Sequence, residues 1–581
     1  MQIDMNFRGM RWQMPEVSQG QNWASVAHNM HRINSALQPL RKGVRSANLP
    51  TADFRFASSF YLHDDKFVAH QSDIDFATTQ IIGDVARRMY YVDNGILQFL
   101  AYNEIADNYP TNVVEGHRSG VEMPKVTPIV QSQIRAFNEQ GQDVGSASYL
   151  SLTTEQRALY QETVFVSTLV NRFGEEGPPT LTSVPCYGIP GETLMALFGI
   201  AQVPESGVLD SDAAGMRVYM LVNGGFFRIP EPSVTFPAGT NTAEIPNLTA
   251  LYDYENIPND TLNLGVITFD PDGVQEELVS SDWDQAPNGL KHLAALDAGV
   301  LAVANDHDVF LSVPYQWHAF PEINRYTVIG TIRKIANVGG GFCVMTDRGT
   351  EFFFGSDPEA MIKSAVVFPF SIADPKSFTE YEGGGIFVCN DGVAVISSNG
   401  VEIATDGFID REQWLERVSV DECRTEMYEG RILIATRRPD NGDPIGYCIN
   451  LAAGEVTSFD VVESTLDSGF FRDPRTNEVC FVNNDVGLNV FNQGDRNVAI
   501  WESGDIWLPR TISLNSLYVE AESYPVTVKV TAGDLPQREL VVDSERPRRM
   551  PITGRHKKIR VRVESGRDVG RCALATDMKS F

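Results

Sequence analysis

Basic charge, cysteine pairing and long apolar runs are all scarce in this chain of 581 residues. Lys and Arg number 47 against 76 Asp and Glu, a formal net charge of −29. Such a deficit of cations excludes tight wrapping of nucleic acid, which needs Lys and Arg to displace condensed counterions. It suits a soluble surface past which DNA slides without sticking. The seven cysteines, Cys186, Cys343, Cys389, Cys423, Cys448, Cys480 and Cys572, are odd in number and form no C-x-x-C pair. That spacing excludes a disulfide framework and a cysteine zinc site, and it predicts buried reduced thiols. No apolar stretch reaches the roughly 18 residues of a membrane span, and no charged-then-apolar signal pattern opens the sequence. The expectation is a protein made in a cytoplasm and without a membrane span.

Catalytic signatures are scarce too. Nine histidines occur without an H-E-x-x-H pair or other metal spacing. His307 stands between Asp306 and Asp308, which would suit a metal or acid–base cluster, but a turn between two strands accounts for the same residues. Pro439-Asp-Asn-Gly-Asp443 lacks the alternating oxygen ligands and terminal Glu of a calcium loop. Gly339-Gly-Gly341 and Gly383-Gly-Gly385 are followed by strand patterns, whereas a phosphate cradle opens a helix. No nucleophile elbow or Ser-x-x-Lys signature is found. No catalytic, cofactor-binding or metal-ligating residue is therefore assigned, and no cofactor is expected. The paired carboxylates of a glycosidase would meet only in the fold, so that alternative stays open.

The chain does carry a β pattern. Apolar runs of four to six residues recur between turns such as Asp93-Asn94-Gly95, Asp347-Arg348-Gly349, Asn390-Asp391-Gly392 and Ser398-Asn399-Gly400. Tight hairpins favour these residues because the turn needs positive φ. From about Pro287 the hairpins return at intervals of roughly 40–50 residues, the spacing of propeller blades. A matching unit is predicted from Ser59-Phe-Tyr-Leu62, Lys66-Phe-Val-Ala69, Arg88-Met-Tyr-Tyr-Val92 and Ile96-Leu-Gln-Phe-Leu100. Strands from both chain ends would close such a ring and protect its sheet edges. The fold class is all-β: a propeller, an inserted sandwich of fibronectin type III character and a C-terminal β domain. The expected division is 1–150 for the N-terminal segment and first propeller strands, 151–250 for the insertion, 251–500 for the main blades and 501–581 for the C-terminal basic domain. Residues 21–40, with Trp23, Val26, Met30 and Leu37, are the best helix candidate.

Charge is uneven as well. Residues 541–581 hold eleven Lys or Arg against five Asp or Glu, a local +6, so the remainder carries −35. Arg546, Arg548, Arg549, Arg555, Lys557, Lys558, Arg560 and Arg562 are the candidate contact residues. They could line a channel and touch DNA phosphates, or pair with the acidic body of a neighbouring subunit. No aromatic side chain that would stack bases interleaves them, and the surplus of acid elsewhere favours subunit contact.

Four segments in chain order carry a family likeness. The first is Asn6-Phe-Arg-Gly-Met10 with Ala24, Ala27, Asn29 and Leu37-Gln-Pro39. The second is residues 163–179, ending Phe173-Gly-Glu-Glu-Gly-Pro-Pro179. The third joins Asp308-Val-Phe-Leu-Ser-Val-Pro314, Trp317-His-Ala-Phe-Pro321, Met345-Thr-Asp-Arg-Gly-Thr350 and Gly355-Ser-Asp-Pro358. The fourth comprises Trp507-Leu-Pro-Arg510, Tyr524-Pro-Val526, Arg546-Pro-Arg-Arg-Met-Pro551 and Val569-Gly-Arg-Cys-Ala-Leu-Ala-Thr576. Together they resemble the tail tubular or nozzle proteins of short-tailed bacteriophages, from which the ending Met578-Lys-Ser-Phe581 departs. The resemblance implies a virion structural protein, not an enzyme, forming a hexameric ring at the distal end of the tail. It further implies an adaptor above the ring, tail fibres or a needle nearby, and transient contact with genomic double-stranded DNA during ejection. The alternatives are a propeller enzyme acting on host surface polysaccharide and a host-attachment protein.

Overall fold

The computed structural model describes residues 1–14, 22–33, 36–48, 59–63, 66–70, 74–81, 83–105, 116–121, 123–124, 127–132, 135–137, 143–146, 148–199, 213–229, 234–235, 262–473, 476–482, 487–550, 552 and 554–581. Strands dominate, and half of the sheets among the described residues are four-stranded. Blade one is the hairpin Ser59–His63 with Lys66–His70. Blade two contains Phe76–Thr78, Met89–Asp93, Ile96–Leu100 and His117–Arg118. Blades three, four, five and six follow from His292–Leu296, Ile332–Val338, Thr379–Tyr381 and Arg424–Tyr428, each an innermost strand with three more outside it. Blade seven, beginning at Phe470–Arg472, takes its outermost strand from the other end of the chain: Gly487–Val490 pairs antiparallel with Val44–Asn48.

The innermost strands pack side by side around a common axis, and Phe470–Arg472 returns to Ser59–His63. The result is a closed β-propeller. The sequence assigned Ser59–His63 and Met89–Asp93 to one blade. In the structure they belong to neighbouring blades, because the three-residue strand Phe76–Thr78 intervenes and pairs with Met89–Asp93.

Apolar clusters fill the gaps between blades. Leu296, Val309 and Ile335 join blades three and four, Val338 and Phe387 join four and five, and Val388 and Ile432 join five and six. Leu433 and Phe491 join six to seven. Each fully buried side chain of this kind contributes about 1.5–3 kcal/mol. Trp317 and Trp414 are completely enclosed, and each donates its indole N–H to a carbonyl, Gly299 at 2.7 Å and Cys389 at 3.0 Å. Those bonds remove the penalty of burying an indole nitrogen.

Two further β units flank the ring. An insertion between blades two and three is built from the sheet Ile129–Ser132, Leu194–Gly199, Leu262–Thr268 and the sheet Phe165–Asn171, Ala213–Val222, Gly225–Arg228. Phe165, Met195, Leu197, Met216 and Phe269 form their shared core. Because strands at 129 and 262 share one sheet, the insertion extends beyond 151–250 on both sides.

The last unit is a sandwich made by both chain ends. Ile3, Phe7, Met30 and Leu37 share a core with Trp501, Leu517, Val528, Val561 and Cys572. Residues 1–7 and the strands Ala24–His28, Met30–Ile33 and Ala36–Pro39 thus belong to the C-terminal unit, while Trp12 packs into the core of blades five and six. The helix expected over residues 21–40 is not found: their described residues form the strands Ala24–His28, Met30–Ile33 and Ala36–Pro39. The apolar spacing that mimics a helical face comes from a corner at Asn29, whose φ of 51° turns the chain between two strands. Among the described residues, no helix is long and apolar enough to cross a membrane.

Candidate functional site

The propeller axis gathers charged side chains from distant parts of the sequence. Asp75, just before blade two, meets Lys334 of blade four and His292 of blade three. His292 Nδ1 lies 3.4 Å from its carboxylate, and Leu293 N–H donates to it over the same distance. Burial would raise the Asp75 carboxyl, but the Lys334 charge and then His292 hold it well below the usual carboxylate range. The Lys334 ammonium also sits 5.9 Å from the Phe378 ring centre beside blade five.

Two more ion pairs cross blade boundaries. Asp374 binds Arg424 of blade six and accepts the backbone N–H of Cys423 at 3.3 Å. Glu426 of blade six meets Arg472 of blade seven at 3.0 Å. Burial raises the Glu426 carboxyl, opposed by the Met427 N–H and Arg472. Each of these carboxylates holds a cation from a different blade, so chemically the pairs can staple blades in register. Among the described residues, no group of three His, Cys, Asp or Glu could hold a metal ion.

A cleft of about 820 Å³ opens where the insertion meets blades two and three. Below it Arg88 binds Asp84 at 3.0 Å and Glu175 at 2.6 Å, while His318 Nδ1 lies 3.5 Å from Glu175. Burial would raise the Glu175 carboxyl, yet His318, Arg88 and Asn171 bring it down to about 2. Phe173 packs edge-on against Phe99 with ring centres 5.5 Å apart, and Arg88 lies over the Phe173 face at 4.5 Å. This is a joint: a loop of the insertion is bound to the propeller by charge and aromatic packing together.

The eight basic candidates fall into two groups. Lys558, Arg560 and Arg562 alternate along the strand His556–Ser565 and face outward. All three meet acid within the chain: Lys558 and Arg560 bind Asp505 at 2.8 and 2.9 Å, and Arg562 binds Glu564 at 2.6 Å and Glu502 at 3.2 Å. Arg548 pairs with Asp543 and donates to Ser544. Arg546, Arg549, Arg555 and Lys557 are exposed. Sequence reasoning missed the three axial ion pairs, whose members lie far apart along the chain and give no local signal.

His307 occupies a turn, its Nδ1 2.7 Å from the Gly330 carbonyl, while Asp306 binds Lys291 and Asp308 binds Arg325. All seven cysteines are buried and none is in a disulfide. Desolvation pushes the thiols of Cys343, Cys423, Cys448 and Cys572 up to about 12, which leaves them unreactive.

No family model and no curated protein matches this chain. Solved structures it is similar to include Hsv2 of Kluyvelomyces marxianus, at 11% identity over 62% of this chain and 95% of that one, TM-score 0.22. Another is the extracellular domain of a hybrid two-component system protein of B. thetaiotaomicron, at 10% identity over 95% and 85%, TM-score 0.20. A third is a family 43 arabinoxylan arabinofuranohydrolase of Bacillus subtilis, at 8% identity over 66% and 93%, TM-score 0.15. The assignment to the β-propeller class rests on the closed ring of sheets described above.

Proposed function

We propose that this chain is a structural subunit of a short-tailed bacteriophage virion, forming the ring-shaped nozzle at the distal end of the tail. The observation that carries the reading is the four-segment resemblance, whose segments fall in order on the N-terminal strands, the insertion, the blades and the sandwich. In this reading the insertion is the fibronectin type III-like module of that family. The ion pairs Asp75–Lys334, Asp374–Arg424 and Glu426–Arg472, which staple blades in register, suit a rigid structural part. The acidic bulk of the chain would then keep the phosphate backbone from adhering. A glycosidase would instead need two carboxyl groups facing a sugar across an open site.

Light scattering on the purified chain, with negative-stain images of tails extracted from virions, tests the proposal. A ring in the tail whose hole admits duplex DNA is the expected outcome. A monomer absent from virions, or cleavage of host polysaccharide into new reducing ends, would overturn it.

A further inference from the structure

The sandwich has two ends of opposite character. One adjoins the propeller: Asn497 N–H donates to Leu40, and Arg496 binds Glu522 and Asp568 there. The strands Val526–Ala532, Ser516–Ala521, His556–Ser565 and Val569–Ala575 span from that end to a free tip. At the tip lie the turns near 512–516, 532–538 and 575–579, together with Arg549 and residues 554–556.

Arg510, Arg538, Arg549, Arg555, Lys557 and Lys579 are all exposed at or beside this tip. None of the six side chains makes an ion pair among the described residues, whereas Lys558, Arg560 and Arg562 nearby are matched acid for base. Apolar surface stands among them: Trp507 is 55%, Met578 48% and Leu535 39% exposed. Trp, Met and Arg are enriched at interfaces, so exposed apolar side chains set among cations suit a contact surface.

Resting on the ring reading above, we propose that this tip docks onto the acidic surface of a second copy of the chain, making the contact that propagates the ring. The occupant follows from charge. Everything outside residues 541–581 sums to −35 in each copy, so the tip meets complementary potential on its own kind. Asp282 and Asp284, exposed side by side next to blade three, are the acceptor; Glu322 near them is already held by Arg325 at 2.8 Å. Partial burial, then the like charges of Asp282 and Glu322, push the Asp284 carboxyl above its usual range, a repulsion that an incoming cation relieves. Tip and acceptor are different patches, so the contact is head-to-tail, the type that closes into rings.

The test is assembly of the full-length chain by light scattering across salt concentrations. Wild type should assemble at low salt and weaken as salt rises. Arg555→Glu with Lys557→Glu should raise the dissociation constant by about tenfold or more, with unchanged circular dichroism and melting temperature because both side chains are exposed and unpaired. Asp282→Lys with Asp284→Lys should do the same alone, and mixing the two reversed chains should restore assembly. The inference falls if rings ignore both reversals, or if wild type stays monomeric at every salt concentration. It also falls if the tip reversal abolishes binding to phosphatidylglycerol vesicles or duplex DNA while self-assembly is untouched. Rings in virion tails that ignore the reversals would sink this contact alone, whereas absence from tails would sink the nozzle reading.

Discussion

Lys334 shows how much the axis depends on single charges. Its ammonium neutralises Asp75, which His292 alone would balance only when protonated. Replacing it, as Lys334→Met, leaves a carboxylate enclosed without its principal cation, and breaking a pair of this kind costs about 3–5 kcal/mol. A matching fall in the denaturant midpoint at unchanged slope is expected; a change within error would show that water already reaches Asp75. None of this was visible in the sequence. Asp75 precedes blade two while His292 and Lys334 sit in blades three and four, and only the packing of those blades makes them neighbours. The cysteines were legible because Gly341-Phe-Cys-Val344 and Val479-Cys-Phe-Val482 already read as apolar strand.

At the scale of elements, hairpins were the legible part. Asn390-Asp391-Gly392 joins Gly384–Cys389 to Gly392–Ser397 where the turn chemistry placed it, since a turn declares itself in its own residues. Phe76–Thr78 was not legible: three residues carry no alternation to detect. Residues 21–40 misled for the opposite reason, because two strands meeting at a corner can imitate a helical stripe. The loop of residues 171–175, which ties the insertion to the propeller, carries the acid sensitivity. Glu175 has a folded value of about 2 against an ordinary 4.5, so its stabilisation is whole above about 4.5 and is lost as pH falls through about 2. Pepsin should therefore cut between propeller and insertion at a rate that is flat near pH 4.5 and climbs towards pH 2. Glu175→Gln should cut fast throughout, and a flat wild-type profile down to pH 2 would refute the assignment.

At the scale of the whole molecule, the ends of the chain act as one piece. Ala24–His28 lies between Glu455–Phe459 of blade six and Ala499–Ser503 of the sandwich, so one continuous sheet links ring to sandwich. Removing residues 499–581 strips the core from Ile3, Phe7, Met30 and Leu37. That truncation should leave the remaining chain largely insoluble, read as the soluble fraction after expression; a soluble, cooperatively melting propeller would contradict the shared core. The blade rhythm announced the ring, while the partnership of residues 1–40 with 499–581 had no signature because nothing local records a partner hundreds of residues away.

The strand Val44–Asn48 gives this arrangement a temporal order. It leaves the ribosome long before Gly487–Val490 exists, a wait of roughly half a minute or more at about 5–20 residues per second. Blades two to six can settle as they emerge, but the seventh cannot be completed until its partner from the start of the chain is recaptured. The sandwich and its cationic tip come later still. On the proposed docking contact, a nascent chain would be unable to present its tip until its ring is ready to shut, so that copies would meet as finished parts.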